Sequence, residues 1–272
     1  MAALITGGGS GIGRGLAVLL SNRGVPVIYI VGRRGDALAE TAALCKSSKV
    51  ICIVADVASH DAPGIIASSI TSAASLRWVI HCAGTLGPIA PLSRVSRADF
   101  EAVMSTNVTG PVFLTSALIP FMESGSRILH ISSGAAQRAI EGWGSYCVSK
   151  AALNMAYRMF AIELREQGIS VGSARPGVVE TNMQEEIRRG HVDVFPDRSR
   201  FIDLHKSMEN AASTLPASPY PPPSNALDTC ENVSYFLAWL LSDNLTPEEF
   251  SSAEWDSRDS AHHHRWCNQS ET

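Results

Sequence analysis

The sequence predicts an α/β fold, a doubly wound parallel sheet in a single domain, from three observations. Short apolar runs alternate with helical stretches from the N-terminus to about residue 175. A glycine-rich loop, Thr6-Gly-Gly-Gly-Ser-Gly-Ile-Gly13, joins the first such run to the first helix. The runs are near-continuously apolar rather than alternating, as expected of strands covered by helices on both faces.

Taken in order, Ala2 to Thr6 reads as the first strand, Gly7 to Gly11 as a tight loop and Ile12 to Leu20 as an apolar-faced helix. Val25 to Val31 is a second strand, broken by Gly32-Arg33-Arg34-Gly35, and Asp36 to Lys46 a helix. Val50 to Val54 gives a third strand ending at Asp56, and Arg77 to His81 a fourth ending in Cys82-Ala83-Gly84. Ser96 to Ser105 and Val108 to Glu123 read as two helices, Arg127 to Ile131 as a strand, and Ser145 to Gln167 as a long helix. Ile169 to Ala174 is a sixth strand, stopped by Pro176-Gly177. Right-handed crossovers would place the strand ends along one rim of the sheet. Beyond residue 180 the pattern weakens. Pro216 to Pro223 reads as an exposed connector, Cys230 to Ser242 as a helix with Trp239 packing inward, and Phe250 to Trp255 as the region of a last strand. Residues 1–256 are expected to form the domain, and 257–272, with His262-His263-His264, a polar disordered tail.

The 272 residues carry a formal net charge of −4, which gives no reason to expect a polyanionic partner such as nucleic acid. Six cysteines are dispersed without the spacing of a metal knuckle or redox pair, so a reducing compartment is expected. The chain reaches its glycine loop almost at once, leaving no room for a targeting leader, and no apolar run of bilayer length is evident. A soluble cytoplasmic protein without membrane contact is the expectation.

Gly7, Gly11 and Gly13 suit a tight turn, a close backbone approach to a pyrophosphate and close helix packing. With Ser10 and Ile12 they would present the free N–H groups and positive dipole end of the following helix to that anion. Gly8 and Gly9 are read as turn flexibility. At the tip of the second strand an NAD site often carries a carboxylate for the ribose hydroxyls, whereas an NADP site needs positive charge for the 2′-phosphate. Here Gly32 is followed by Arg33 and Arg34, whose guanidinium forks suit phosphate, and NADPH is the expected cofactor. Solvated loop arginines are the alternative.

Tyr146 and Lys150 lie four apart near the start of the long helix, hence on one face. A nearby ammonium favours phenolate, and in the reduction direction the phenol can give its proton to a carbonyl oxygen as hydride reaches carbon. Ser133 leaves the fifth strand where its hydroxyl could hold the same oxygen, and Asn107 could organise a lysine-linked water. Each also has a plain structural use. The Tyr146/Lys150 pair fits an amphipathic contact, Ser133 a turn cap and Asn107 a helix cap.

Together, Thr6-Gly-x-x-x-Gly-x-Gly13, Asp56, Ala83-Gly84, Asn107, Ser133, Tyr146-x-x-x-Lys150 and Pro176-Gly177 resemble the short-chain dehydrogenase/reductase family. The match runs over roughly residues 2 to 185. The resemblance implies a Rossmann-type sheet, an NAD(P) cofactor and a Ser-Tyr-Lys site assisted by Asn. It implies Asp56 and Val57 near the adenine, Lys150 on the nicotinamide ribose, and Thr181 in Val178-Val179-Glu180-Thr181 near the carboxamide. Ala83, Gly84, Pro176 and Val179 join the expected cofactor contacts. Within the family, Glu141 to Asn154 and Pro176 to Gln184 resemble the fungal benzil reductase and sepiapterin-reductase-like branch, which reduces carbonyls, vicinal diketones among them, with NADPH. Family members often pair through their long helices, so a homodimer or homotetramer is expected.

Two departures stand out. His81-Cys82-Ala83-Gly84 replaces the family's usual Asn-Asn-Ala-Gly, removing an amide that ties neighbouring strands. The C-terminal part lacks a clear Ser-Gly before its last strand. Trp143, Met183 and either Phe195 or Phe201 are expected to wall the substrate, a small ketone or diketone, with no metal required. An NAD-dependent alcohol dehydrogenase and a non-catalytic NADP-binding protein are the competing readings.

Overall fold

The structure, a computed structural model, describes residues 1–71, 75–212 and 227–266. Its strands are β1 (Ala2–Thr6), β2 (Val27–Gly32), β3 (Lys49–Val54), β4 (Leu76–His81), β5 (Arg127–Ile131), β6 (Ser170–Arg175) and β7 (Glu254–Asp256). All pair in parallel, in the order β3-β2-β1-β4-β5-β6-β7. The order reverses direction between β1 and β4, and an open sheet of this kind leaves a crevice above the strand ends at that point.

The helices are α1 (Gly11–Asn22), α2 (Gly35–Leu44), α3 (Ala62–Ser68), α4 (Arg97–Met104), α5 (Gly110–Leu118), α6 (Gly144–Glu163), α7 (Asn182–Arg189), α8 (Arg198–Ala212), α9 (Cys230–Leu241), α10 (Pro247–Ser252) and α11 (Ser260–Trp266). Successive strand residues serve opposite faces. Ile5, Ile28, Ile30, Ile80 and Leu129 pack under α1, α2 and α9, while Leu4, Tyr29, Val79, Ile128 and Val171 pack under α3, α5 and α6. Both faces are therefore covered, which is why the strands read as continuous apolar runs.

The two helices expected between residues 96 and 123 are one continuous run with a π-turn at Ser105–Thr109. Pro111 is the cause. It has no N–H to give the carbonyl of Asn107 four residues back, and its ring would collide with that carbonyl in a regular α-helix, so the turn widens. The run Arg97–Phe121 has the length and apolar composition of a membrane span, contrary to the sequence expectation. Its inner side, Leu114 and Leu118 among others, is packed on the sheet as in a core helix.

The C-terminal part differs most from expectation. The last strand is β7, three residues long and paired to β6 through Ser173, Ala174 and Arg175. The tail from residue 257 carries α11, and Trp266, 1% exposed, packs against Phe236 with ring centroids 5.2 Å apart. A buried aromatic of that size contributes roughly 1.5–3 kcal/mol, enough to hold a polar segment whose composition alone reads as disordered. Trp239 packs in the same cluster, as expected. The proline-rich 216–223 stretch lies outside the described residues.

Candidate active site

A cleft of about 1150 Å³ opens above the C-terminal ends of β1, β2, β4, β5 and β6. Its floor begins at the glycine loop. Gly7 and Gly11 have φ of 69° and 54°, left-handed values that side chains rarely tolerate. A Cβ on Gly13 would lie 2.5 Å from the Gly7 carbonyl oxygen, so α1 starts directly against the turn. Gly8 is more than turn flexibility, since a Cβ there would meet the Ile30 side chain at 2.7 Å. Arg14, which sequence reasoning passed over, fixes the loop. Its guanidinium donates to the Gly9 carbonyl at 2.7 Å and to Thr41 at 3.0 Å, and pairs with Glu40 at 2.8 Å. The only sequence signal for this was a cation following Gly13.

The first turn of α1 faces the cleft with N–H groups free of intrahelical partners, and Ser10 at its cap makes no side-chain cap bond. Arg33 and Arg34 stand exposed on the rim at the end of β2, with no carboxylate at the tip. Asp56 lies across from them, accepting from the Ala58 N–H at 3.0 Å, and Val57 is buried beside it. A glycine cradle, an unspent helix N-terminus and two rim guanidinium groups together fit a dinucleotide. Thr181 closes the other side, its methyl 3.3 Å from where a Gly11 Cβ would stand.

At the far end the cleft is lined by Ser133, Tyr146 and Lys150. Tyr146 and Lys150 are 7% and 5% exposed, and the Lys150 Nζ lies 5.6 Å from the Tyr146 ring centroid. Lys150 donates to the Ile131 carbonyl at 2.8 Å, which anchors it to the end of β5. Burial lowers its pKa to about 8, with Cys82 and Glu254 acting in the opposite sense. Burial raises Tyr146 to about 12, while a hydrogen bond with Ser133 pulls it down in part. Ser133 also caps the short turn Gly134–Ala136, accepting from the Ala135 N–H at 3.2 Å, so its structural and chemical uses coincide.

Asn107 does not line the cleft and does not cap a helix. It sits 1% exposed in the π-turn, behind Gly84 and Thr85. Its amide accepts from the Thr85 N–H at 2.9 Å, and donates to the Thr85 carbonyl at 2.8 Å and to Ser149 at 2.9 Å. It thereby fastens the strand leaving Ala83-Gly84 to α6, one residue from Lys150. The other expected cofactor contacts, including Ala83, Gly84, Pro176 and Val179, line the cleft.

Cys82 occupies the floor beside Lys150, and burial holds its thiol up at about 12, so it stays neutral there. Of the expected substrate wall, Trp143, Met183 and Phe201 line the cleft; Phe195 is fully buried behind them, stacked on Trp143 at 5.4 Å. The α7–α8 segment that brings Phe201 over the site is held by Glu180, which accepts two bonds from Arg188 at 2.9 and 2.7 Å and contacts His205 at 3.2 Å. His262 lies edge-on to Trp255 at 4.8 Å, away from the cleft.

Residues 1–191 match the short chain dehydrogenase family profile. A benzil reductase ((S)-benzoin forming) of Bacillus cereus is 31% identical over 213 residues, covering 74% of this chain and 84% of that protein. It is bacterial, so the likeness reaches benzil reductases without fixing a fungal branch. An NADPH-dependent pterin aldehyde reductase of Arabidopsis thaliana is 32% identical over 183 residues, 66% of this chain and 75% of its own length. The crystal structure of the angucycline C-6 ketoreductase LanV with bound NADP superposes with a TM-score of 0.75 at 22% identity, covering 94% of this chain and 93% of that one. The match spans the glycine loop, the Ser133 turn and the Tyr146/Lys150 helix, and the chain belongs to the short chain dehydrogenase family of oxidoreductases.

Proposed function

We propose that the chain is an NADPH-dependent carbonyl reductase acting on a small ketone or vicinal diketone, with residues 1–256 as its catalytic domain. The observation that carries this reading is the buried pair of Tyr146 and Lys150 at the cleft end, with Ser133 lining the same end. When bound, NADPH supplies the hydride. Tyr146, protonated across the neutral range, gives its proton to the carbonyl oxygen, and the product is the alcohol. Ser133 holds that oxygen by a hydrogen bond aimed at the charge that develops on it. Lys150 holds the nicotinamide ribose and keeps an ammonium beside the phenol, easing proton loss. Asn107 assists by holding the Thr85 segment and α6 together around them.

Arg33 and Arg34 at the rim support NADPH over NADH, as does the pterin aldehyde reductase relative, whose name states that dependence. Trp143, Phe201 and Met183 support an apolar, aromatic-tolerant substrate, in keeping with the benzil reductase relative. The dispersed free cysteines support a reducing, cytoplasmic setting. A homodimer through α5 and α6 is part of the proposal. Phe113, Val148, Met155, Met159 and Ile162 leave apolar side chains between 40% and 61% exposed on these helices.

The test is consumption of NADPH and NADH over aromatic diketones, simple ketones, quinones and pteridines. Turnover with NADPH and a diketone is expected. NADPH binding without turnover of any carbonyl favours the non-catalytic reading, and preferential alcohol oxidation with NAD favours the dehydrogenase.

A further inference from the structure

Glu254 on β7 is a buried carboxylate that the carbonyl-reduction chemistry does not use. It pairs in register with Ser173 of β6, and its side chain is 4% exposed. A carboxylate withdrawn from water to this degree persists only where partners replace its hydration. Gln137 Nε2 and Asn154 Nδ2 each donate to it at 2.9 Å, Ser173 Oγ donates at 3.4 Å, and the Arg175 guanidinium forms an ion pair at 3.4 Å.

These partners belong to three different parts of the site. Gln137 caps the end of the turn opened by Ser133. Asn154 stands one helical turn beyond Lys150 on the same side of α6. Ser173 and Arg175 alternate along β6, Arg175 directly before Pro176-Gly177. Gln137 closes the ring, its Oε1 accepting from Arg175 at 2.8 Å.

We propose that Glu254 is a positioning residue of the reaction centre, the single carboxylate that sets the Ser133 turn, α6 and the end of β6 against one another. The proposal rests on the carbonyl-reduction reading for its effect on turnover, and on the hydrogen-bond geometry alone for its hold on the three segments. The Lys150 ammonium lies 5.6 Å from the Tyr146 ring of its own helix, and the other titratable groups that act on its charge are Cys82 just past β4, His130 of β5 and Glu254 of β7. Arg175, which balances Glu254, is shared with Asp256 at 3.2 Å, and Arg258 follows on the same segment. Removing the Glu254 charge both loosens the three segments and withdraws a negative neighbour from a buried ammonium.

The experiment compares the full-length chain with Glu254→Gln, which keeps the shape and removes the charge. In the cofactor-free protein, NMR titration of Lys150 with labelled side-chain carbon reads the ammonium directly. Its midpoint moves down by about half a pH unit or more in Glu254→Gln. In the loaded enzyme, kcat for the carbonyl falls about tenfold or more through misplacement of the Ser133 turn, while the dissociation constant for NADPH changes less than twofold, roughly. A folded Glu254→Gln with the wild-type Lys150 midpoint and wild-type kcat overturns the proposal. Should Glu254→Gln fail to fold, Gln137→Ala cuts only the tie to the Ser133 turn. Faster amide exchange in that turn with lower kcat supports the proposal, and unchanged exchange overturns it. If the wild-type chain turns over no carbonyl, the reduction reading fails, and the Lys150 midpoint alone decides the role of Glu254.

Discussion

The pair Tyr146 and Lys150 shows how far one helical turn of sequence can carry a chemical argument. Their spacing fixes a shared face, and the fold buries that face at the end of a cleft, lifting the phenol to about 12 and lowering the ammonium to about 8. Under carbonyl reduction the phenol is loaded with its proton throughout the neutral range, whereas the ammonium is lost as pH rises through about 8. Steady-state kcat for reduction should accordingly decline as pH is raised through that region. Stability moves the other way. The unfolded chain binds a proton at Lys150 up to about 10.5 and the native chain only to about 8, so stability rises with pH between those values. Below about 8 the full cost of the buried ammonium is present. Lys150→Met should therefore abolish turnover yet leave the melting temperature at pH 7 equal or higher; a clear drop would show that its bond to Ile131 outweighs desolvation. Residues acting at such local spacing were legible from the sequence. Arg14 and Glu254 were not, because their side-chain partners lie 26 and more residues away and nothing local distinguishes them from surface charges.

At the scale of elements, apolar periodicity located six strands to within two residues at each end, because each is buried on both faces. It failed for α7, where the sequence Asn182 to Arg189 offers only Met183 and Ile187 as apolar anchors. It also split one helix at Asn107, where Pro111 widens the run rather than ending it. The glycine loop is the element on which cofactor binding depends most. A Cβ at Gly13 meets a backbone carbonyl, which cannot swing aside as a side chain can. Gly13→Ala should cost roughly 1–3 kcal/mol in stability and weaken NADPH binding, read by thermal melts and fluorescence titration. The same substitution at Gly64, where a Cβ meets nothing within 4 Å, should leave NADPH binding unchanged.

For the whole molecule, the parallel sheet and its covering helices followed from strand and helix alternation, while the C-terminal third needed tertiary contacts to become legible. Trp266 and β7 are held by burial and pairing that composition does not reveal. Two buried histidines on adjacent strands bear on acid stability. His81 is lowered to about 3 by burial, and His130, stacked on it at 4.7 Å, lies well below the usual range for the same cause. Between about 3 and 6.5 the unfolded chain takes up protons that native His81 refuses, so stability falls as pH drops through that window. Melting temperatures measured from pH 7 to 4 should fall, and less steeply in His130→Asn. Light scattering should find an oligomer that Met159→Glu dissociates, and a monomeric wild type would remove α5 and α6 as the pairing face. The central claim, that the buried phenol protonates a carbonyl, is tested most directly by NADPH oxidation with benzil in wild type and Tyr146→Phe. Turnover is expected in the wild type, with loss of about 10²-fold or more in the variant and NADPH binding preserved. A Tyr146→Phe enzyme that reduces benzil at the wild-type rate would contradict it.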